Sequence, residues 1–341
     1  MINVAVCGAT GYTGCEIIRI LLRHPKVNIK ALTAKLDKPA RISDEFAEFK
    51  GKLDLMCEEL VVDKLLKNKI DLVFLALPHR VSMEYAASFI GKNKIVIDLS
   101  ADFRLKDTAV YEKYYCHKHT YKDYLANSIY GLPELYKDRI KQAKLLANPG
   151  CYPTGSILAV APLLSSKLAS KDIIILDAKS GVTGAGRKAD IGLIFGEVSE
   201  NAKAYRIGTH QHVPEIEQEL SKLAGAKVDI LFTPHLIPIR RGILTTAYVS
   251  LKKKTDISSI LRLYRSFYSK APFVKIYDAG RLPQIQDVVN TNNCAIGVAL
   301  SPDKNKVIIV SVIDNLLKGA SGQAVQNMNI ICGFPETMGL V

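Results

Sequence analysis

The chain has 341 residues, of which 48% are hydrophobic and 23% are charged. This composition is ordinary for a globular protein of about two domains, and no apolar run reaches the roughly 18–20 residues that a membrane-spanning helix needs. The net charge is +13, but the lysines are spread along the chain without a basic tail, which favours a solvated basic surface over a nucleic-acid-binding one.

The cysteines and the N-terminal residues predict the compartment. Seven cysteines are scattered without a CxxC pair, so neither a zinc ribbon nor a dithiol redox motif is indicated. The opening residues 1–8 resemble a strand and lack the basic region and cleavage site of a signal peptide. We therefore expect a reduced, cytoplasmic protein.

A strand, a glycine-rich turn and a helix open the chain. Residues 2–7 are predicted to form a strand, residues 15–22 a helix and residues 27–33 a second strand. This order is typical of a dinucleotide-binding fold, in which glycines let a pyrophosphate approach a helix N-terminus. The spacing GxxGxxG differs from the usual GxGxxG, so a plain glycine turn remains an alternative. The predicted cofactor-binding residues here are Gly8, Thr10, Gly11, Tyr12, Thr13 and Gly14.

The end of the second strand bears on the choice between NAD and NADP. An NAD site usually has an acidic residue there, whereas this chain has Thr33 and Lys35, with Arg41 nearby. Small hydroxyl and basic residues suit a 2′-phosphate, which favours NADP and makes Lys35 a candidate contact. Asp37 weakens this assignment, and ordinary surface charge is an equally good interpretation of both basic residues.

Strands are predicted at residues 70–77 and 94–99, with a helix at 82–90 between them. Ligands bind at the carboxyl edge of parallel sheets, so we expect Pro78 and His79 to contact the cofactor. Arg104 could clamp a carboxylate or phosphate after the later strand, and a surface ion pair is its alternative.

His117 and His119 have the spacing of paired metal ligands. No further ligand cluster lies nearby in the sequence, so we interpret both as surface histidines and predict no metal.

The main candidate for a catalytic residue is a cysteine in a predicted turn. A strand at 144–147 runs into Asn148-Pro149-Gly150, which can continue neither helix nor strand, and Cys151 follows. Helical apolar spacing begins after Thr154, so we predict Cys151 in a tight turn that leads into a helix. A helix N-terminus can lower the pKa of a thiol below its free value of about 8.5, which makes Cys151 a candidate nucleophile. A buried, inert cysteine is the alternative.

The second half of the chain predicts a different sheet. Strands at 172–178, 227–233, 243–251 and 306–312 with few intervening helices indicate an antiparallel or mixed sheet. The loop at 179–187 offers backbone N–H groups and Arg187 to a phosphate, or is a flexible hairpin loop. Residues 314–329 predict a helix that returns to the first domain.

Two histidines are candidate partners of the thiol. His210 and His212 precede a helix that Pro214 is suited to begin, and in an extended segment residues two apart share a face. An imidazole can activate a thiol and move protons, and Glu215 could orient one. A metal site and plain structural histidines are alternatives. A cysteine hydrolase would need no dinucleotide fold, so the combination favours hydride transfer to a thioester.

The motifs together resemble those of the N-acetyl-gamma-glutamyl-phosphate reductase family, which is related to aspartate-semialdehyde dehydrogenase. The resemblance covers nearly the whole chain, and it is carried by residues 8–14, 77–79, 100–104, 147–155, 180–187, 210–215 and 319–327. One departure is Arg80, where that family has glycine, and it could alter a cofactor or loop contact.

The resemblance implies NADPH-dependent reduction of an acyl phosphate to a semialdehyde by a homodimer or homotetramer. Cys151 would form the thioester, and His210 is the first choice for acid/base, with His212 and Glu215 beside it. The further cofactor contacts that it implies are Pro78, His79, Ser180, Gly181, Gly184, Asn315 and Gln323. The substrate contacts would be Arg104, Asn148, Arg187 and Arg240.

The expected fold is therefore α/β, with an N-terminal Rossmann-type parallel sheet and an α+β catalytic domain. We predict a dinucleotide-binding domain at 1–149, completed by 318–341, and a catalytic and oligomerisation domain at 150–317. The nearest rival function is a lysine-pathway reductase whose substrate is one methylene longer, a difference worth only about 1–3 kcal/mol in a pocket. A non-catalytic NADP-binding regulator that binds nucleic acid is the rival from another class.

Overall fold

The computed structural model describes residues 1–170, 172–187 and 189–341. These residues form two compact units, the first unit (Met1–Pro149 with Ala320–Val341) and the second unit (Gly150–Gly319). None of the helices in the described ranges is long and apolar enough to span a bilayer.

Each unit is built on one sheet. The strands of the first unit are β1 (Ile2–Cys7), β2 (Val27–Thr33), β3 (Ala40–Arg41), β4 (Met56–Glu58), β5 (Leu72–Leu75), β6 (Ile95–Asp98), β7 (Ile129–Tyr130) and β8 (Leu145–Ala147). Those of the second unit are β9 (Ile174–Ser180), β10 (Lys203–Ala204), β11 (Ile230–Leu236), β12 (Ile243–Ser250), β13 (Val274–Ile276), β14 (Cys294–Leu300) and β15 (Lys306–Ile313).

The helices begin and end as follows in the part of the chain that is described. They are α1 (Tyr12–Leu21), α2 (Ile42–Glu45), α3 (Val62–Leu66), α4 (Ser82–Gly91), α5 (Thr108–Tyr115), α6 (Lys122–Asn127), α7 (Pro133–Ile140), α8 (Cys151–Ser165), α9 (Phe195–Val198), α10 (Val213–Ala224), α11 (Ile257–Phe267) and α12 (Gly322–Ile331). A single π turn, Leu317–Ser321, precedes α12 in the described residues.

The first sheet has the order β3-β4-β2-β1-β5-β6-β8-β7. Its neighbouring strands pair in parallel, except that β3 is antiparallel to β4. All four residues of β5 are buried, as expected of a strand covered by helices on both faces. Helix α12 packs on α1 and α7. The predicted Rossmann-type sheet and returning C-terminal helix are confirmed.

The second sheet has the order β10-β11-β9-β12-β15-β14-β13 and is mixed, as predicted. Strands β9 and β11 are parallel, whereas β12 is antiparallel to both of its neighbours. Residues along β9 and β11 alternate between buried and more exposed, so one face of the sheet packs on helices and the other is open.

Several boundaries differ from the predicted ones. Strand β11 begins at Ile230, three residues after the predicted position, because residues 227–229 belong to the irregular segment that follows α10. Helix α8 begins at Cys151 itself and not after Thr154, since the helical pattern cannot reveal a first turn that lacks periodic apolar residues. The cysteine therefore lies in the first turn of the helix.

Candidate active site

In the glycine turn of the first unit, neighbouring backbone atoms leave no room for a Cβ at two of the three glycines. Gly8 has φ +87°, and a Cβ there would lie 2.2 Å from the carbonyl oxygen of Ala76. A Cβ on Gly14 would lie 2.1 Å from the carbonyl oxygen of Gly8. The protein backbone thus occupies the space that a side chain would need at both positions.

Gly11 is different, because the surrounding protein atoms leave room for a side chain there. A Cβ on Gly11 would meet nothing closer than the Gly8 carbonyl oxygen at 3.5 Å, which is an ordinary contact. Gly11 is the N-cap of α1, no side chain caps that helix, and its first turn holds no acidic residue. These features fit the pyrophosphate of a dinucleotide, which needs close approach to the backbone and a helix N-terminus.

The other predicted cofactor residues of the first unit lie at the same carboxyl edge of the sheet. Tyr12 and Thr13 begin α1, Lys35 is exposed just after β2, and Pro78 and His79 are exposed after β5. Thr10 lies in the glycine turn itself.

Arg41, the other basic residue near the end of β2, has a carboxylate partner. It forms an exposed ion pair with Asp54, which matches the alternative interpretation of ordinary surface charge.

Three polar side chains predicted to contact ligands are buried in the first unit. Arg104 is buried and not at the surface, and its guanidinium donates to the carbonyl oxygens of Asn148 at 2.7 Å and Leu99 at 2.8 Å. The Asn148 amide donates to the Ala320 carbonyl at 3.1 Å. The Gln323 amide donates to the Gly131 carbonyl at 3.0 Å. Each of these residues fixes the backbone around the predicted binding edge.

Cys151 is half-buried at the first position of α8. Its helix has Gly150 as N-cap and no acidic residue within its own first turn, and the positive end of the helix dipole lies at the thiol. A Cβ on Gly150 would lie 2.5 Å from Nε2 of His212, and one on Gly319 would lie 2.9 Å from Cβ of Cys151. The glycines let an imidazole and a turn close against the cysteine.

Glu215 supports this geometry from α10. Its Oε1 accepts the backbone N–H of Gly150 at 2.9 Å, and its side chain is almost fully buried. The bond ties the residue before the cysteine to the helix that follows the histidines. Orientation of an imidazole by Glu215, as the sequence suggested, stays a prediction.

A cluster of rings surrounds the two histidines, and we call it the ring cluster. The centroid of the His210 ring lies 4.9 Å from that of His212, 5.5 Å from Tyr152, 5.7 Å from Tyr205 and 5.2 Å from Phe232. The two histidine rings lie side by side, but the segment that carries them is a turn and not the extended segment that was predicted. His212 has φ −83° and ψ −13°, so the turn brings the rings together where a strand would have only aligned them.

The environment of His210 keeps its imidazole neutral. Burial lowers the pKa of His210 to about 4, and the positive charge of Arg206 acts in the same direction. Nδ1 of His210 lies 3.1 Å from the backbone nitrogen of His212 and accepts its proton. This hydrogen bond assigns the ring proton of His210 to Nε2.

Two tyrosines were not singled out from the sequence. The Tyr152 and Tyr205 hydroxyls lie 2.9 Å apart, and burial raises the pKa of both, that of Tyr205 to about 12. Both phenols therefore stay protonated and available as donors at neutral pH. Tyr152 could have been noticed because it follows Cys151 directly, whereas Tyr205 joins the site only through the fold.

Asn315 connects two loops of the second unit. Its amide donates to Oγ1 of Thr183 at 2.9 Å, and its amide oxygen accepts from the backbone of Gly242 at 2.7 Å. Thr183 also donates to the carbonyl of Arg240 at 2.6 Å. Asn315 thus holds the 180–187 loop, which contains the predicted contacts Ser180, Gly181 and Gly184. That loop is a 3₁₀ turn at Val182–Ala185 and not a hairpin.

The other two arginines predicted to contact the substrate, Arg187 and Arg240, are exposed. Arg187 lies at the end of the 180–187 loop. Arg240 lines a cleft of about 340 Å³ together with Arg241, Val289 and Asn290. Arg241 is paired at 2.9 Å with the fully buried Asp314, so Arg240 is the more exposed of the two cations.

The metal interpretations gain no support from the geometry. Within the described residues, no three His, Cys, Asp or Glu side chains are grouped to hold a metal ion. The prediction that His117 and His119 are both surface residues is wrong for His119. That side chain is buried, its ring meets Phe103 and Tyr111 edge-on, and its Nε2 is 2.7 Å from the Asp102 carbonyl oxygen.

Two family models match the chain. The model described as "Semialdehyde dehydrogenase, NAD binding domain" matches residues 3–143, and "Semialdehyde dehydrogenase, dimerisation domain" matches residues 151–315.

Curated relatives match over the full length. The chain is 48% identical to N-acetyl-gamma-glutamyl-phosphate reductase of Pelotomaculum thermopropionicum, with 99% of this chain and 97% of the relative covered. It is 47% identical to the enzyme of the same name from Desulfotalea psychrophila, with 100% and 98% covered.

Solved structures with low identity share the fold. Aspartate semialdehyde dehydrogenase II of Vibrio cholerae, complexed with ASA, superposes with a TM-score of 0.73 at 17% identity, covering 98% of each chain. The Candida albicans enzyme with NADP gives 0.73 at 16% identity, covering 97% of this chain and 98% of that one.

Proposed function

The chain belongs to the N-acetyl-gamma-glutamyl-phosphate reductase family, and we propose that it reduces N-acetyl-gamma-glutamyl phosphate to N-acetylglutamate semialdehyde and phosphate in arginine biosynthesis. The observation that carries the proposal is the position of Cys151 at the N-terminus of α8, next to Gly150, against which the His212 ring packs. A thiolate at such a position is a nucleophile for an acyl phosphate.

The proposed reaction uses Cys151 twice. Its thiolate attacks the acyl carbon, the S–C bond forms and the C–O bond to phosphate breaks, which leaves a thioester. Bound NADPH would supply a hydride to the carbonyl carbon of this thioester, and a proton from a neighbouring acid would complete the thiohemiacetal. The thiohemiacetal on Cys151 then loses its hydroxyl proton, the C–S bond breaks, and the aldehyde leaves as the thiolate is restored.

We propose His212 as the group that moves these protons and His210 as the residue that orients it. The His212 ring lies against Gly150, next to the cysteine, whereas His210 uses Nδ1 to accept the backbone N–H of His212. A pKa of about 4 makes His210 a poor base at neutral pH. This reverses the order that the sequence suggested, in which His210 came first.

NADP is proposed as the cofactor, with its pyrophosphate at Gly11 and the N-terminus of α1. The absence of any steric need for glycine at position 11 supports this placement. Lys35 is exposed after β2 and is the proposed contact of the 2′-phosphate, since Arg41 is paired with Asp54. A Lys35→Glu variant should raise the KM for NADPH and leave that for NADH nearly unchanged.

Arg240 and Arg187 are proposed to attract the anionic substrate, because both are exposed on the second unit and Arg240 lines a cleft. Arg104 and Asn148 are proposed to shape the substrate site through the backbone that they hold.

A homodimer is proposed through the open face of the second sheet. Leu231, Ile175 and Tyr248 are directly paired across three neighbouring strands, and they are 55%, 41% and 37% exposed. An exposed apolar row of this kind is typical of an interface, and the matching model's description as a dimerisation domain supports a second copy as its partner. A Tyr248→Asp variant should sediment as a monomer. A cytoplasmic location is proposed with it.

The function is tested by phosphate-dependent NADP⁺ reduction with N-acetylglutamate semialdehyde and with the aminoadipyl analogue that is one methylene longer. We expect turnover with the shorter aldehyde, loss of turnover in Cys151→Ser, and unchanged NADP⁺ affinity in that variant. Cys116→Ser, at an exposed cysteine, is the matched control and should keep full activity. A clear preference for the longer aldehyde would overturn the substrate assignment, and normal turnover in Cys151→Ser would overturn the thioester.

A further inference from the structure

The turn that follows β5 holds a residue in an unfavourable backbone conformation. Arg80 has φ +74°, in the left-handed region that costs a residue with a side chain about 1–2 kcal/mol. Such a conformation persists only where surrounding contacts hold it.

One carboxylate supplies those contacts. Oδ1 of Asp102 accepts the backbone N–H of Arg80 at 2.8 Å, and its Oδ2 accepts the backbone N–H of Met83 at 3.0 Å. The Tyr111 hydroxyl donates to the same Oδ1 at 2.8 Å. Asp102 is fully buried, so these bonds form without competition from water. The carboxylate therefore joins the turn at Arg80 to α4 and α5.

The same turn borders the glycine turn of the first unit. The backbone N–H of Ala76 donates to the Cys7 carbonyl at 2.8 Å, and the Ala76 carbonyl oxygen occupies the Cβ space of Gly8. The chain thus passes the glycine turn immediately before it reaches Pro78 and His79.

A second bond holds the turn from the Asp102 side. Nδ1 of His79 accepts the backbone N–H of Ala101 at 3.0 Å, and the His79 ring meets the Tyr115 ring edge-on with 5.3 Å between centroids. The turn is therefore fastened to the residue before Asp102 as well as to Asp102 itself.

We infer that Asp102 is a positioning residue for the dinucleotide, which holds the Pro78–Arg80 turn in its strained form beside the glycine turn. The inference rests on the proposed function only in taking NADP as the dinucleotide. It explains a buried carboxylate that no catalytic step uses. It also predicts that the need for Asp102 depends on the strain at Arg80.

The experiment is a double-mutant cycle of Asp102→Asn and Arg80→Gly, with NADP⁺ affinity measured by calorimetry on the full chain and thermal unfolding followed in parallel. Asn keeps one acceptor oxygen and replaces the other with a donor, so Asp102→Asn should weaken NADP⁺ binding about tenfold. The KM for NADPH should rise by the same factor, and kcat at saturating NADPH should stay within about twofold. Glycine adopts the turn without strain, so Asp102→Asn should lower NADP⁺ affinity far less in an Arg80→Gly background than in the wild-type background, which is the expected recovery.

Asp107→Asn is the matched control. Asp107 caps α5 through bonds to the Ala109 and Val110 nitrogens but does not touch the turn, so NADP⁺ affinity should be unchanged. If Asp102→Asn does not fold, Tyr111→Phe removes one donor from the same oxygen and should weaken NADP⁺ binding about twofold to fivefold. Unchanged affinity in Asp102→Asn, or in Tyr111→Phe where that substitute is needed, would overturn the inference, and so would a double variant without recovery. If Asp102→Asn weakens NADP⁺ binding but the wild-type protein oxidises neither aldehyde in the presence of phosphate, the proposed function is overturned and this inference stands.

Discussion

The two units prepare their predicted binding surfaces in different ways. In the first unit the surface is backbone: the glycine turn is bare at Gly11, and polar side chains such as Arg104 and Gln323 donate to carbonyl oxygens of their own chain. In the second unit the surface is made of side chains, with imidazoles and phenols gathered around Cys151. Backbone groups at a binding surface suit a ligand that is bound but stays non-covalent, such as a dinucleotide. Side chains with titratable groups suit proton transfer and covalent catalysis.

This contrast predicts which substitutions affect binding and which affect turnover. Side-chain geometry should govern the rate in the second unit, and close backbone approach should govern affinity in the first. Each unit also contains one buried group whose pKa burial shifts strongly, the Asp98 carboxyl in the first and the His210 imidazole in the second, and these two groups respond to acid in opposite directions.

The largest effect is expected for Gly150→Ala in the second unit. The new Cβ would lie 2.5 Å from Nε2 of His212 and must displace that ring, so kcat should fall about 10²–10³-fold while the fold holds. Gly155→Ala on the same helix is the control, because its Cβ meets only ordinary contacts at 3.5 Å and beyond. Steady-state kinetics that give equal rates for both variants would contradict the role of the His212 ring.

His210 should make the second unit sensitive to acid. Burial lowers its folded pKa from 6.5 to about 4, so the unfolded chain binds more protons between those values and stability is lost as pH falls through that window. The loss should reach about 3 kcal/mol at most. His210→Asn keeps an acceptor for the His212 N–H without titrating, so its second-unit amides should lose less hydrogen-exchange protection from pH 6.5 to 4 than wild type.

Asp98 should act in the opposite direction in the first unit. Burial and the neighbouring charge of Asp102 raise its pKa from 3.8 to about 6, so the folded state binds the extra proton and stability falls as pH rises from about 4 to 6. The effect should be about 3 kcal/mol at most. Asp98→Asn should remove this dependence, as measured by exchange of amides in β5 and β6. If the His210 and Asp98 contributions to stability changed with pH in the same direction, the contrast between these two groups would be contradicted.

The fold of the first unit could be predicted more fully from the sequence, because the patterns that indicate it are local. A strand, a glycine turn and a helix follow one another in 20 residues, and each has its own pattern. The sequence does not show positions that tertiary neighbours decide: Arg104 is buried, with carbonyl oxygens from two segments accepting its protons, and no periodicity indicates that.

The ring cluster of the second unit could be predicted only in part. The sequence indicated His210 and His212, since two histidines before a helix form a visible pattern. It did not indicate Tyr205 or Phe232, which reach the cluster from the stretch after β10 and from β11. The sequence also drew attention to position 80, where the related family has glycine. It could not show the contact with Asp102 that holds Arg80 at its positive φ.

The smallest effect is expected for Gly11→Ala, and it tests the backbone surface directly. Gly11 has φ −75° and ψ 160°, which alanine adopts freely, and its Cβ would be 3.5 Å from the nearest protein atom, so thermal stability should change little. The methyl group would nevertheless stand where the pyrophosphate approaches, and NADP⁺ affinity should fall about tenfold, which corresponds to about 1.4 kcal/mol. Gly8→Ala is the contrasting variant, because its Cβ collides with the Ala76 carbonyl and should lower stability before any ligand is added. Calorimetry that finds normal NADP⁺ binding in Gly11→Ala would place the dinucleotide elsewhere, and the first unit would then need side chains for binding as much as the second needs them for catalysis.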